Sequence, residues 1–144
     1  MTAGRVDPNR AGGKWERRVV DYLVEGYGFN WDRAPLRGRR DRLDVTGCLD
    51  DGWLIGCKAI TRGVAFGQRV SEAMAQCDQA LINVGRPVTG ADPRGFLVVD
   101  SGLIMPIQVM QRSGYPTGKA YVVTELDYWA RTAAERAELR KDRQ

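Results

Sequence analysis

The sequence predicts an α/β domain in which a mixed β-sheet is flanked by helices on both faces. Segments with apolar residues at helical spacing alternate with short β-like runs, in the order α-β-β-α-β-(β)-β-α. No internal repeat or low-complexity stretch interrupts that order. The chain has 144 residues, 43% of them hydrophobic and 28% charged, which is one domain's length with enough apolar material for a core.

Residues 1–13 contain Gly, Pro and Arg without an apolar period and read as a flexible basic arm. A helix is expected from Lys14 to Tyr27, where Trp15, Val19, Tyr22 and Leu23 recur at helical spacing and Gly26 and Gly28 close it. Residues 30–42 form a polar loop. Two β-like runs follow, Leu43–Leu49 and Trp53–Ile60, and Asp50-Asp51-Gly52 between them predicts a hairpin. From Gln68 to Val84 the period is helical again, with Val70, Ala73, Met74, Cys77, Ala80 and Leu81 on the apolar stripe. Residues 86–94 read as a Pro/Gly loop and 95–100 as a buried strand. Residues 103–110 read as a short strand interrupted by Pro106, and 120–124 as the last strand. Thr124-Glu-Leu-Asp127 looks like a capping box opening a helix to about Arg140. The domain is thus expected over 14–140, with a charged tail at 141–144.

Composition narrows the chemistry. There is no histidine, which excludes Ser-His-Asp and Cys-His catalysis, His general bases and His-containing zinc sites. Any catalysis rests on carboxylates, Lys, Arg, Tyr or Cys. Cys48, Cys57 and Cys77 are odd in number and form no C-x-x-C pair, so buried free thiols in a reducing compartment are expected. No apolar stretch approaches the roughly 20 residues of a membrane span, and no apolar signal core stands at the start, so a cytoplasmic protein is expected. The net charge is +4, and 18 of the 22 basic residues are Arg, the side chain suited to bidentate phosphate recognition.

The chemistry concentrates on the predicted hairpin. Alternation places Asp44, Thr46 and Cys48 on one face of the first strand, and Leu54, Gly56, Lys58 and Ile60 on one face of the second. A lysine in an otherwise apolar strand is costly to bury unless an anion meets it. Asp44 on the neighbouring strand would meet it, either as a simple ion pair or as part of a site holding a metal ion and a water.

These residues resemble the PD-(D/E)XK nuclease superfamily, most closely its Holliday-junction-resolvase branch from archaea and bacteriophages. The resemblance runs from Gly13 to about Val84 and weakly on to Tyr128. Glu16 in Gly-Lys-Trp-Glu-Arg-Arg-Val-Val matches the branch's helical Glu, Asp44-Val-Thr-Gly47 its motif Asp, and Trp53-Leu-Ile-Gly-Cys-Lys58 its apolar run ending in (Asp/Glu)-x-Lys. It implies a restriction-endonuclease-like core (α-β-β-α-β-β-α) and a Mg²⁺- or Mn²⁺-dependent endonuclease acting on branched DNA as a homodimer, of the kind bacteriophages encode. It further implies Asp44 and the Cys57 backbone carbonyl as metal ligands, Lys58 as the water-positioning or charge-stabilising group, and Glu16 as an auxiliary acid.

One residue departs from the pattern: the metal-binding acid before Lys58 is Gly56. Three explanations stand open. The acid has migrated to the next helix, with Glu72 as the substitute; Gly56 is an inactivating change; or the chain is a pseudo-nuclease that binds DNA or protein without cutting. Glu72, Gln76, Gln79 and Asn83 form one polar helix stripe, which a solvated face explains slightly better than a site does. Asp41 is a rival to Asp44 as the motif acid. Arg33, Arg37, Arg39, Arg40 and Arg42 crowd the loop before Asp44 and are expected to clamp phosphates, with Gln76 assisting. The helix bearing Leu126, Trp129 and Ala133, or the 102–110 segment, is the expected dimer contact.

Overall fold

The structure is a computed structural model that describes residues 8–34, 43–84, 88–91, 97–99 and 104–143. Helix α1 runs Pro8–Tyr27, followed by strands β1 (Asp32–Arg33), β2 (Val45–Thr46) and β3 (Trp53–Lys58). Helix α2 (Phe66–Asn83) leads to β4 (Val88–Ala91), β5 (Leu97–Val99), β6 (Met105–Met110) and β7 (Tyr121–Val123), and α3 (Leu126–Asp142) closes the order. The main sheet has the order β3-β6-β7 and is mixed: β6 lies parallel to β3 and antiparallel to β7. Two antiparallel pairs, β1–β2 and β4–β5, accompany it.

Strand alternation decides what each helix covers. Ile55 and Cys57 of β3 and Val109 of β6 pack with Trp15, Val19 and Val20 of α1. Leu54 of β3 and Met110 of β6 pack on the other face with Ala73, Met74, Cys77 and Ala80 of α2. The mixed α/β architecture with helices on both faces is therefore as expected. Trp15 anchors α1, 2% exposed, with its indole N–H donating to the Val109 carbonyl at 3.1 Å. On the α2 side α3 is held by Tyr128, whose hydroxyl donates to Asp78 at 2.8 Å.

Several local expectations are corrected. The helix does not wait for Lys14: residues 8–13, assigned to the arm, already belong to α1. Pro is well tolerated in a first helical turn, where its missing N–H has no intrahelical partner. The expected hairpin is reduced to two main-chain bonds, Asp44 N–H to the Ile55 carbonyl at 2.9 Å and Trp53 N–H to the Cys48 carbonyl at 3.0 Å. Its first strand shrinks to Val45–Thr46, and its ladder partner is β1, in the expected loop. Gly47 explains the break: it sits at φ 89°, where a Cβ would lie 2.8 Å from the Asn30 carbonyl. Alternation fails there, so Cys48 is buried while Thr46 is exposed. Val88–Ala91, expected as loop, forms β4 against β5.

Pro106 does not interrupt β6, which holds it as its second residue. Met105 N–H donates to the Gly52 carbonyl and Gln111 N–H to the Lys58 carbonyl, so odd-numbered amides of β6 face β3. A donor at residue 106 would face the β7 side, and β7 pairs only from Gln108 onward. The missing N–H therefore costs no ladder bond. The capping box is absent too. Thr124 donates its hydroxyl to the Pro106 carbonyl at 2.8 Å, and Glu125 is the N-cap residue without a side-chain cap bond. A tertiary bond outcompetes the local one.

Candidate functional site

Asp44 is fixed from three directions. Its carbonyl accepts the Ala34 N–H at 2.8 Å, its own N–H reaches Ile55, and its carboxylate Oδ2 accepts the Cys57 N–H at 2.7 Å. Leu43 immediately before it sits at φ 68°, a left-handed conformation that non-glycine residues rarely adopt. The strained step and the three bonds together hold the carboxylate against β3. In a strand the N–H and C=O of one residue face the same side, so the Cys57 carbonyl faces the side from which Asp44 approaches.

Glu16 closes this region from α1. Its Oε2 accepts from Arg33 Nη2 at 3.1 Å and Nε at 3.3 Å, and the pair is part-buried. Gly13 permits this contact, since a Cβ there would lie 3.1 Å from Arg33 Nη2. The Cys57 thiol reports both acids. Burial pushes its pKa well above the ordinary value, and the charges of Asp44 and Glu16 push it the same way. Asp44 thus meets the Cys57 main chain directly, while Glu16 is held by Arg33 and reaches the Cys57 thiol through its charge. Arg33, expected on phosphate, is engaged with Glu16.

The α2 side of β3 carries the other part of the pattern. Lys58 is half-buried at the end of β3, and its charge is felt at Cys77. Burial raises the Cys77 thiol to about 12, opposed by the amide of Gln108 and by Lys58. Gly56 is buried and lies in register opposite Gln108 of β6. A Cβ on Gly56 would lie 2.1 Å from Gln108 Oε1 and 2.5 Å from its Cδ. The space beside the missing acid's backbone is therefore filled by the Gln108 carboxamide. Gln108 is 0% exposed; its Nε2 donates to the Ala73 carbonyl at 3.1 Å, and among the described residues its Oε1 has no hydrogen-bond partner. Sequence reasoning missed Gln108, although a lone polar residue inside the apolar run 105–110 was a usable signal.

Glu72 and Gln76 are exposed on α2, and Glu72 accepts from Gln68 Nε2 of its own helix at 3.3 Å. Among the described residues no three His, Cys, Asp or Glu side chains converge on a possible metal position. Arg37, Arg39, Arg40, Arg42 and Asp41 lie outside the described residues. Among the described residues no helix is long and apolar enough to cross a membrane. No protein-family model, curated protein or solved structure matches this chain significantly.

Proposed function

We propose that this chain is a metal-dependent, structure-selective DNA endonuclease of the junction-resolving kind, acting as a homodimer on branched DNA. The observation that carries the reading is the docking of the Asp44 carboxylate on the Cys57 main chain, one residue before Lys58. Asp44 and the Cys57 carbonyl are oxygen donors of the kind a hard cation takes, and they would hold Mg²⁺ or Mn²⁺. The donor set is one acid short, because residue 56 is glycine, and the Gln108 carboxamide fills the space beside it. A bound cation would offset the charge gained by the scissile phosphate and acidify the attacking water. Lys58 would place a positive charge beside that phosphate, and Glu72 would supply the missing acid from α2. Glu16 holds Arg33 in place, and the Arg-rich loop before Asp44 would grip the DNA backbone.

The filled space at Gly56 favours a second reading, a pseudo-nuclease that retains DNA binding without cleavage. One experiment separates the two. The full chain is incubated with a four-way junction and a linear duplex in Mg²⁺ or Mn²⁺, beside Asp44→Asn, Lys58→Ala and Glu72→Ala. Junction cleavage lost in all three variants is the expected result. Absence of cleavage with salt-dependent binding retained leaves the pseudo-nuclease, and absence of any DNA binding sinks both readings.

A further inference from the structure

On α1, a basic cleft meets an aromatic hollow. The cleft is lined by Lys14, Arg17, Arg18 and Arg33 around Gly13. Among the described residues, Lys14 and Arg18 have no carboxylate partner. Arg17 reaches Asp21 and Asp32 at 3.7 and 3.5 Å in exposed pairs, which a phosphate would displace at little cost. Arg18 marks the junction: its guanidinium lies 5.3 Å from the Trp15 ring centroid and donates to the Thr117 hydroxyl at 3.2 Å.

Thr117 also lines the hollow, which measures about 280 Å³ and is walled chiefly by Tyr22, Phe29, Trp31, Trp53, Val109 and Val122. Small-ligand sites run from roughly 300 Å³ upward, so the hollow suits a single planar ring system. A file of rings runs along its rim. Trp31 and Phe29 stack with centroids 3.9 Å apart and planes 7° apart, Tyr27 follows Phe29 at 6.3 Å, and Tyr22 lies 6.0 Å from Tyr27. Tyr27 is 65% exposed and Tyr22 41%. Apolar rings left in water are not explained by core packing.

A ligand matching both halves carries anions beside a flat, stackable ring, which describes a nucleotide within a single strand. We propose that this face of α1 binds unpaired nucleotides of a DNA strand, with bases on the Tyr22–Trp31 rings and phosphates in the Lys14–Arg18 cleft. The assignment rests on the DNA-acting reading above and adds that the preferred DNA carries unpaired bases.

The test measures binding of fluorescein-labelled oligothymidylate, a fully paired duplex and a four-way junction to the full chain, and to Tyr27→Ala, Phe29→Ala and Arg18→Ala. Thermal unfolding checks that each variant is folded. Oligothymidylate is expected to quench tryptophan fluorescence. Each aromatic substitution should weaken oligothymidylate about tenfold, from the loss of one stacked base. Arg18→Ala should weaken it and flatten its salt dependence, while duplex affinity stays nearly unchanged under the ring substitutions. If duplex and junction bind but the ring variants leave oligothymidylate unaffected, the proposal fails and the endonuclease reading survives. No binding to any DNA overturns both. A wild-type dimer that Phe29→Ala converts to monomer assigns the hollow to a second copy and overturns the proposal.

Discussion

Gln108 lies fully buried with its carboxamide over Gly56, and a carboxylate introduced at residue 56 would have to displace it. Gly56→Glu should therefore destabilise the fold by about 1–3 kcal/mol through overpacking alone, with a further cost for burying the acid. Adding Gln108→Ala should recover part of that loss, a coupling that a double-mutant cycle in denaturant unfolding would reveal. Additive effects of the two substitutions would show that the side chains do not compete for one space. Asp44 behaves differently, because the Oδ1 of an asparagine can still accept the Cys57 N–H. Asp44→Asn should leave stability within about 1 kcal/mol of wild type, since one charge-assisted bond becomes a neutral one, while abolishing cleavage. Severe unfolding of this variant would make Asp44 a structural residue only.

The third helix illustrates how elements are joined. Thr124 sits where a capping box would place it, yet its hydroxyl ties the chain entering α3 to the Pro106 carbonyl on the central strand. Thr124→Val should cost roughly 1 kcal/mol, because it leaves a part-buried acceptor unsatisfied. Glu125→Ala should cost little, as Glu125 makes no side-chain cap bond. Chemical denaturation of the two variants decides between a tertiary strut and a helix cap; a larger loss at Glu125 would restore the cap. The same helix exposes Leu126 (75%) and Trp129 (56%) while burying Tyr128. The capping-box signal that announced α3 carried nothing about this anchor, which only the fold locates.

Across the whole molecule the three thiols act together. Burial raises Cys48 to about 11, Cys77 to about 12 and Cys57 upward as well, from an ordinary value of 9.0. Below pH 9 the thiols are protonated in both folded and unfolded chains, so this contribution to stability is intact. Above it the unfolded chain loses protons that the folded chain keeps, and stability falls as pH rises through the interval 9 to 12. Thermal unfolding should show Tm falling from pH 8 to pH 10.5, less steeply in Cys48→Ala; a flat profile would contradict buried neutral thiols. Thiol reagents at pH 7.5 should label the native chain slowly and the denatured chain at all three positions.

The sequence by itself determined the helices, the β3 run and the α/β class. Those follow from short-range periodicity, which the chain carries locally. Tertiary structure decided the rest. Whether Pro106 is tolerated depends on which side of β6 finds a partner, and whether Thr124 caps depends on what lies across from it. What stands over Gly56 is settled by the register that sets β6 against β3, a pairing between residues 52 apart that no local pattern encodes.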